Sequence, residues 1–240
     1  MRNISLVARR ELGAYFRGMS GYVILAVMLF IDGLLFKSFA AQGATKKSSE
    51  ILADFFMMTS GITMIGAVFL SMRLISEELQ TGTISLLYSS PVFDHEIVLG
   101  KFFASLIFLC CFFVATLSMP VLVAVYGKVS WGHVATGYLG LILLGATSLA
   151  LGTFGSALSK SQVVSAVLGG VLCLSLTTCW VLAKITDRPL TDIVLSLSWW
   201  GHFDAFRTGL LQLKHVTYFV LATFLALFAA TRVLEARRWR

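Results

Sequence analysis

Long uncharged runs dominate the chain and limit what it can fold into. Five of them contain no Asp, Glu, Lys or Arg: 55–72, 102–127, 134–159, 161–183 and 216–231. A sixth run, 21–43, is equally apolar except for Asp32 and Lys37. A helix needs about 20 mostly apolar residues to cross a bilayer. The runs therefore predict six transmembrane spans: 21–43, 51–72, 102–127, 134–159, 161–183 and 216–234.

The composition favours a single all-α membrane domain over residues 1–240. Hydrophobic residues make up 58% of the chain and charged residues 13%, which leaves too little charge to cover a soluble globule. No alternating pattern typical of a β-barrel is visible, so the spans are expected to be helical. This balance argues against a soluble enzyme, a disordered segment and a nucleic-acid partner. Membrane lipid is the expected environment.

The distribution of basic residues predicts the orientation. The net charge is +7, and Lys and Arg accumulate on the cytoplasmic side of membrane proteins. With the N-terminus inside, eleven Lys and Arg residues lie in cytoplasmic segments and seven in external ones. Both termini are therefore predicted to be cytoplasmic.

Residues 1–20 lack the apolar core of a signal peptide and show a helical amphipathic pattern instead. The apolar face consists of Ile4, Val7, Ala8, Leu12, Tyr15, Phe16 and Met19. The opposite face carries Arg2, Arg9, Arg10 and Arg17. The pattern predicts a helix lying in the cytoplasmic interface. Glu11 is the exception, because it falls within the apolar arc and the sequence reveals no partner for it.

The cytoplasmic segment 73–101 contains a second, shorter amphipathic stretch. Ile84, Leu87 and Tyr88 share one face at helical spacing, between Gly82 and Pro91. Glu77 and Glu78 precede the stretch, and Asp94 is expected to cap the helix that enters the third span. The stretch is either a docking element for a partner or an ordinary solvated connector.

The external segment 184–215 is too long for a simple turn. It contains two apolar stretches that are too short to span, separated by Trp199 and Trp200. A re-entrant or interfacial helical hairpin fits this pattern, with the tryptophans at the level of the lipid headgroups. The alternative is a surface loop with an aromatic anchor.

No catalytic or metal-binding constellation is recognisable, and no cofactor is expected. Gly100 and Lys101 are followed by Phe102 without a preceding glycine loop, so the phosphate-binding motif GxxxxGK[ST] is missing. His95 begins an HExxH pattern that Leu99 breaks, and no GxSxG occurs. The chain is therefore not expected to be an enzyme.

Two features inside the predicted spans have open interpretations. Asp32 lies near the middle of the first span, where a carboxylate should face protein or water and not lipid. It is either part of a transport pathway or subunit interface, or a hydrogen-bonded structural carboxylate. Ser148, Gly152 and Ser156 recur every four residues on the fourth span, a spacing that lets helices approach closely. Their partner is either a helix of the same subunit or one of a second subunit.

Five short segments occur in an order that is specific when they are taken together. They are RRELGAYF, ISEELQTGTISLLYSSPV with EIVLGKF, LGTFGSALSKSQVVSAV, HFDAFRTGLLQLKHVTYF and LEARRWR. In this order they resemble the membrane subunit of type-2 ATP-binding cassette (ABC) exporters, particularly the gliding-motility (GldF-like) permease branch. The resemblance covers nearly the whole chain.

The resemblance implies roles for three segments. The N-terminal helix looks like the family's elbow helix, and 81–90 looks like the coupling helix that docks on the cytoplasmic ATPase. The segment around 199–208 looks like the external re-entrant helices that close the exit. The implied ATPase-coupling residues are Glu77, Glu78, Thr81, Gly82, Thr83, Ile84, Leu86, Leu87 and Tyr88. The implied external gate consists of Trp199, Trp200, His202, Phe203 and Asp204.

The resemblance also implies a function and partners. The chain would form the translocation path of an exporter in the bacterial inner membrane, together with a second permease copy and two ABC ATPase subunits. Some branches of the family add a periplasmic accessory subunit. The alternative is a non-transporting membrane anchor or scaffold of a motility or secretion machine associated with an ABC ATPase. A secondary transporter is disfavoured because no internal repeat is evident.

Overall fold

The structure, a computed structural model, describes residues 2–40, 47–83, 93–185 and 190–238. Within these ranges every regular element is a helix, as the sequence predicts. In chain order the elements are α1 (Arg2–Arg17), α2 (Met19–Leu35) with a π-helical end (Phe36–Ala40), α3 (Ser48–Ser71), α4 (Ser76–Thr81), α5 (Asp94–Thr116), α6 (Ser118–Tyr126), α7 (Trp131–Leu158), α8 (Gln162–Ala183), α9 (Leu190–Leu197), α10 (Trp199–Arg207) and α11 (Leu213–Arg238).

Six helices in the described part of the chain are long and apolar enough to cross a membrane, which confirms the expected number. Two of them extend well beyond one end of the predicted spans. One runs from α3 through a turn into α4, and another begins at Asp94 and continues past a break at Leu117 into α6. Asp94 is thus the first residue of α5 and not its cap. Instead, the Glu96 carboxylate accepts a hydrogen bond from the Phe93 backbone N–H at 3.2 Å.

The helix α7 is central in the bundle, because it packs against α3, α5, α8, α10 and α11. Glycines on α7 make room for aromatic side chains of its neighbours. A Cβ on Gly137 would overlap the Phe56 ring, and a Cβ on Gly140 would overlap the Phe206 side chain. Both phenylalanines are completely buried. The core therefore forms around α7, where small residues face large ones.

The row of small residues on α7 faces helices of the same subunit. A Cβ on Gly152 would overlap the Ser71 side chain of α3. One turn on, a Cβ on Gly155 would lie 2.8 Å from the backbone nitrogen of Gly169 on α8. Close approach of backbones at small residues is a general way to pack helices in membranes. Of the two interpretations, packing within one subunit is the one the structure shows.

The outer faces of α2 and α8 are apolar and exposed. Phe30 on α2 is 68% exposed, and Leu174 on α8 is 62% exposed. Because large apolar surfaces are unfavourable in water, these faces suit a lipid environment.

Candidate functional site

The side of the bundle that carries the chain termini is where α1 meets α5. Val7 fits against Gly100, where an added Cβ would lie 2.7 Å from the Val7 Cβ. Tyr15 stacks on Phe108 with ring centroids 5.0 Å apart, and its hydroxyl donates to the Leu70 carbonyl at 3.0 Å. The apolar arc predicted for residues 1–20 thus packs on the bundle at Val7 and Tyr15, both of which are buried.

A buried lysine connects α1 to α4 through two carboxylates. Lys101, on α5, is only 2% exposed, and its Nζ lies 2.9 Å from Glu11 Oε1 and 3.0 Å from Glu78 Oε1. The Arg10 guanidinium contacts the same two oxygens at 2.9 and 3.1 Å. We call these four side chains the charged junction. The partner of Glu11 that the sequence does not reveal is therefore Lys101, 90 residues away.

Electrostatics keep Glu11 ionised in this junction. Burial raises the pKa of the Glu11 carboxyl. Attraction to Lys101 and hydrogen bonds from Arg10 and Lys101 lower that pKa by a larger amount, so it lies below its usual value of 4.5. A carboxyl whose pKa is lowered by folding stabilises the fold above its unfolded-state pKa. That contribution is lost only as the pH falls through the lowered value. Glu11 is therefore ionised at neutral pH.

An open pocket lies beside the charged junction. Its volume is about 220 Å³, and its lining includes Arg73, Glu77, Thr81 and Thr83. Arg73 pairs with Glu77 at 3.1 Å and lies over the Tyr15 ring, 5.6 Å from its centroid. Polar groups of α1, α4 and α5 thus surround one space at the end of the bundle.

The helix α4 ends where the predicted docking segment begins. Gly82 has φ of 73°, in the left-handed region that favours glycine, and it terminates α4. The Thr81 hydroxyl donates to the Glu77 carbonyl at 2.8 Å and lies 2.9 Å from the Thr83 hydroxyl. The remaining predicted coupling residues lie outside the described residues: Ile84, Leu86, Leu87 and Tyr88.

At the other end of the bundle, α9 and α10 connect α8 to α11. Trp199 is buried and its indole N–H donates to the Thr177 hydroxyl of α8 at 2.8 Å. Trp200 packs against Trp180 with ring centroids 5.6 Å apart, and Phe203 is buried in the core. The two tryptophans of α10 therefore attach this short helix to α8, whereas Phe203 and Phe206 lie against Gly140 of α7.

A histidine pair attaches α10 to α11. His202 Nδ1 and His215 Nδ1 are 2.8 Å apart, and the His202 ring stacks on Tyr218 with centroids 4.1 Å apart. His202 Nε2 lies 3.2 Å from the Ser196 carbonyl, which can only accept, so Nε2 carries a proton. Burial lowers the pKa of His202, which favours its neutral form. His215 then donates its Nδ1 proton to His202. His215 itself is buried, with 7% of its surface exposed.

Asp204 has a separate role on α10. Its carboxylate pairs with Arg207 at 2.7 Å, and His133 Nε2 donates to the Arg207 carbonyl at 2.7 Å. The five predicted gate residues therefore share one helix but contact different neighbours. They do not converge on one ligand site.

Asp32 is buried between α2 and α3. Its Oδ1 accepts a hydrogen bond from the Thr59 hydroxyl at 2.9 Å, and its side chain is 1% exposed. Its Oδ2 has no hydrogen-bond partner among the described residues. The α2 helix widens into a π-helical turn four residues later. The contact to Thr59 favours the interpretation of a hydrogen-bonded structural carboxylate.

The contacts of two residues at the end of the bundle where α1 meets α5 are not predictable from the sequence. Lys101 looks like an ordinary positive residue at the edge of a span, and Tyr15 like one member of an apolar arc. Glu11, an acidic residue within the apolar arc of residues 1–20, is the one local signal of a buried cation. Nothing in the spacing of residues indicates which cation it is.

A known protein family matches this chain over a region that includes both ends of the bundle. The profile of the family described as "ABC-2 family transporter protein" matches residues 11–236. A comparison with curated proteins finds no match. The matched residues include all of the charged junction except Arg10, and all of α10.

Proposed function

Since the chain belongs to the ABC-2 transporter family and is thus a multi-pass membrane subunit that pairs with an ABC ATPase, we propose that it couples export to ATP hydrolysis through the charged junction. The observation that carries the proposal is Lys101, which holds Glu11 of α1 and Glu78 of α4 at once. A push on α4 from the ATPase would reach α1 and α5 together. Salt-bridge networks between rigid helices are one physical route for coupling between distant sites.

The proposed docking element is the segment that leaves α4. Thr81, Gly82 and Thr83 would lead into it. Ile84, Leu87 and Tyr88 would form its apolar contact face, and Leu86 would belong to the same segment. The acidic residues Glu77 and Glu78 connect this segment back to the bundle. In this proposal α1 acts as the elbow helix in the membrane interface.

The proposed assembly contains two permease copies and two ATPase subunits in the bacterial inner membrane, with both termini cytoplasmic. The excess of basic residues on the side of the termini supports this orientation. The helices α9 and α10 then lie outside, where Trp199, Trp200, His202, Phe203 and Asp204 would form a re-entrant gate. Transport is favoured over the anchor or scaffold alternative, because the matched family is described as a transporter family.

The docking role of 84–88 is testable with two charged substitutions. We expect Ile84→Asp with Leu87→Asp to abolish co-purification of the ATPase, because each buries a carboxylate in an apolar contact. The measurement is ATPase recovery on the tagged permease, together with substrate-stimulated hydrolysis in proteoliposomes. A matched control is Leu158→Asp, at a half-exposed apolar residue on the same side of the bundle. Retention of the ATPase and of its stimulation in the double variant would show the docking role to be wrong.

A substitution at Asp32 tests whether this carboxylate belongs to the transport path. We expect Asp32→Asn to export within about twofold of the wild type, because the amide oxygen still accepts from Thr59 and an intramembrane charge is removed. Asp32→Leu should lower abundance, since it leaves the Thr59 hydroxyl without this acceptor. Export assays must be normalised to the protein present in the membrane. A large loss of export by Asp32→Asn at normal abundance would instead place Asp32 in the path.

A further inference from the structure

The turn between α3 and α4 is buried, and its backbone is held by a residue of another span. Leu74 and Ile75 are 2% and 1% exposed, and Ser76, which begins α4, is completely buried. Backbone N–H groups in the first turn of a helix have no partner within that helix. No side chain of the turn itself caps α4. The partner must therefore come from elsewhere in the bundle.

Ser156 of α7 supplies that partner. Its hydroxyl oxygen accepts from the backbone N–H groups of Ile75 and Ser76, both at 3.0 Å. The same hydroxyl donates to the Met72 carbonyl at 3.1 Å. Ser156 is completely buried, so water does not replace these bonds. One side chain thus satisfies three backbone groups of the turn, across 80 or more residues of sequence.

Other buried hydroxyls nearby behave differently. The Thr153 hydroxyl, also on α7 and completely buried, donates to the Leu149 carbonyl of its own helix at 2.7 Å. The Ser165 hydroxyl likewise donates to the Ser161 carbonyl at 2.9 Å. Such bonds to the preceding turn are common for Ser and Thr in membrane helices. Ser156 differs from these two residues because its bonds leave its own helix. Thr147 of α7 also bonds to another helix, at the Phe219 carbonyl (3.2 Å) and the Thr223 hydroxyl (3.0 Å) of α11. Among the described hydroxyls of α7, however, only Ser156 contacts the turn before α4.

We propose that Ser156 is a positioning residue that couples α4 to the central span α7, an inference that rests on the proposed function. The charged junction connects α4 to α1 and α5, whereas Ser156 connects it to α7. Because α7 packs against α3, α5, α8, α10 and α11, motion of α4 reaches helices at the far end of the bundle through this contact. Without the Ser156 hydroxyl, α4 still docks to the ATPase but moves independently of α7.

The test compares Ser156→Ala with Thr153→Ala in the complete complex with its ATPase, reconstituted in proteoliposomes. We expect Ser156→Ala to bind the ATPase normally and to lower export per ATP hydrolysed by about tenfold, since it leaves buried backbone groups unpaired. Thr153→Ala should leave this ratio unchanged. Hydrogen exchange of the amides at 75–79 should be faster in Ser156→Ala only. A structural role alone would not change the export-to-hydrolysis ratio of a folded complex.

Each outcome decides for or against this role. Normal export per ATP in folded Ser156→Ala contradicts it. If Ser156→Ala cannot be recovered, Ser156→Cys retains a weak acceptor of similar size, and an intermediate ratio supports the role. If neither folds while Thr153→Ala does, Ser156 is a folding determinant and the coupling role is wrong. The proposed function fails separately, when the Ile84→Asp and Leu87→Asp variant still retains a stimulated ATPase.

Discussion

Replacing Lys101 by methionine is expected to separate ATP hydrolysis from export and to destabilise the protein. The lysine is 2% exposed and contacts Glu11 and Glu78 at 2.9 and 3.0 Å. Removal of one member of a buried ion pair costs about 3–5 kcal/mol, and because Arg10 still contacts both carboxylates we expect about 2 kcal/mol here. The measurements are the thermal midpoint of the purified protein and export per ATP hydrolysed.

A matched control is Arg232→Met, which removes an exposed ion pair. Arg232 is 63% exposed and contacts Glu235 at 2.9 Å, so we expect a change of about 0.5 kcal/mol or less. Combining Lys101→Met with Glu11→Gln should restore part of the stability, because Arg10 then pairs with one carboxylate and not with two. Equal effects of Lys101→Met and Arg232→Met would contradict the proposed importance of the charged junction.

The second large effect is expected from Gly155→Ala, which should destabilise the contact of α7 with α8. The new Cβ would lie 2.8 Å from the Gly169 backbone nitrogen and 3.2 Å from the Ser165 carbonyl oxygen. Backbone atoms cannot rotate away, so the two helices must separate and lose packing contacts. Overpacking of this kind costs about 1–3 kcal/mol. The measurement is folded yield and thermal midpoint in detergent.

Gly170→Ala is the control on α8, one residue after Gly169 but facing away from α7. A Cβ at Gly170 meets nothing within 4 Å, and alanine favours helix more than glycine by about 1 kcal/mol. We therefore expect this variant to be as stable as the wild type or slightly more so. If Gly155→Ala is equally well tolerated, the close approach of α7 and α8 is not as the structure describes.

The number and approximate positions of the transmembrane helices are predictable from sequence, because the cost of unpaired backbone N–H and C=O groups in lipid dominates the folding of these segments. Uncharged runs such as 102–127 and 161–183 have few stable conformations in lipid other than a helix. The short helix α4 is not predictable in this way, since six residues with two acidic side chains carry no strong helical signal. It is held in place by Ser156 and Lys101, whose contacts with it exist only in the folded chain.

The sites show the same division between local and distant information. The amphipathic arc of residues 1–20 predicts an interfacial helix, but the partner of Glu11 lies 90 residues away. Ser156 belongs to a row of small residues whose spacing indicates close packing. Its hydrogen bonds to the turn at 72–76 depend on where α3 ends beside α7. Periodicity reports which face of a helix is buried and does not report which neighbour covers it.

The separation of Glu11 from its buried cation also constrains how the protein matures. As the polypeptide leaves the ribosome, the first two spans emerge long before Lys101 does. Until then the Glu11 carboxylate has no cation except its exposed neighbour Arg10. The helix α1 can therefore complete its contacts only after the third span, at whose start Lys101 lies, has been made.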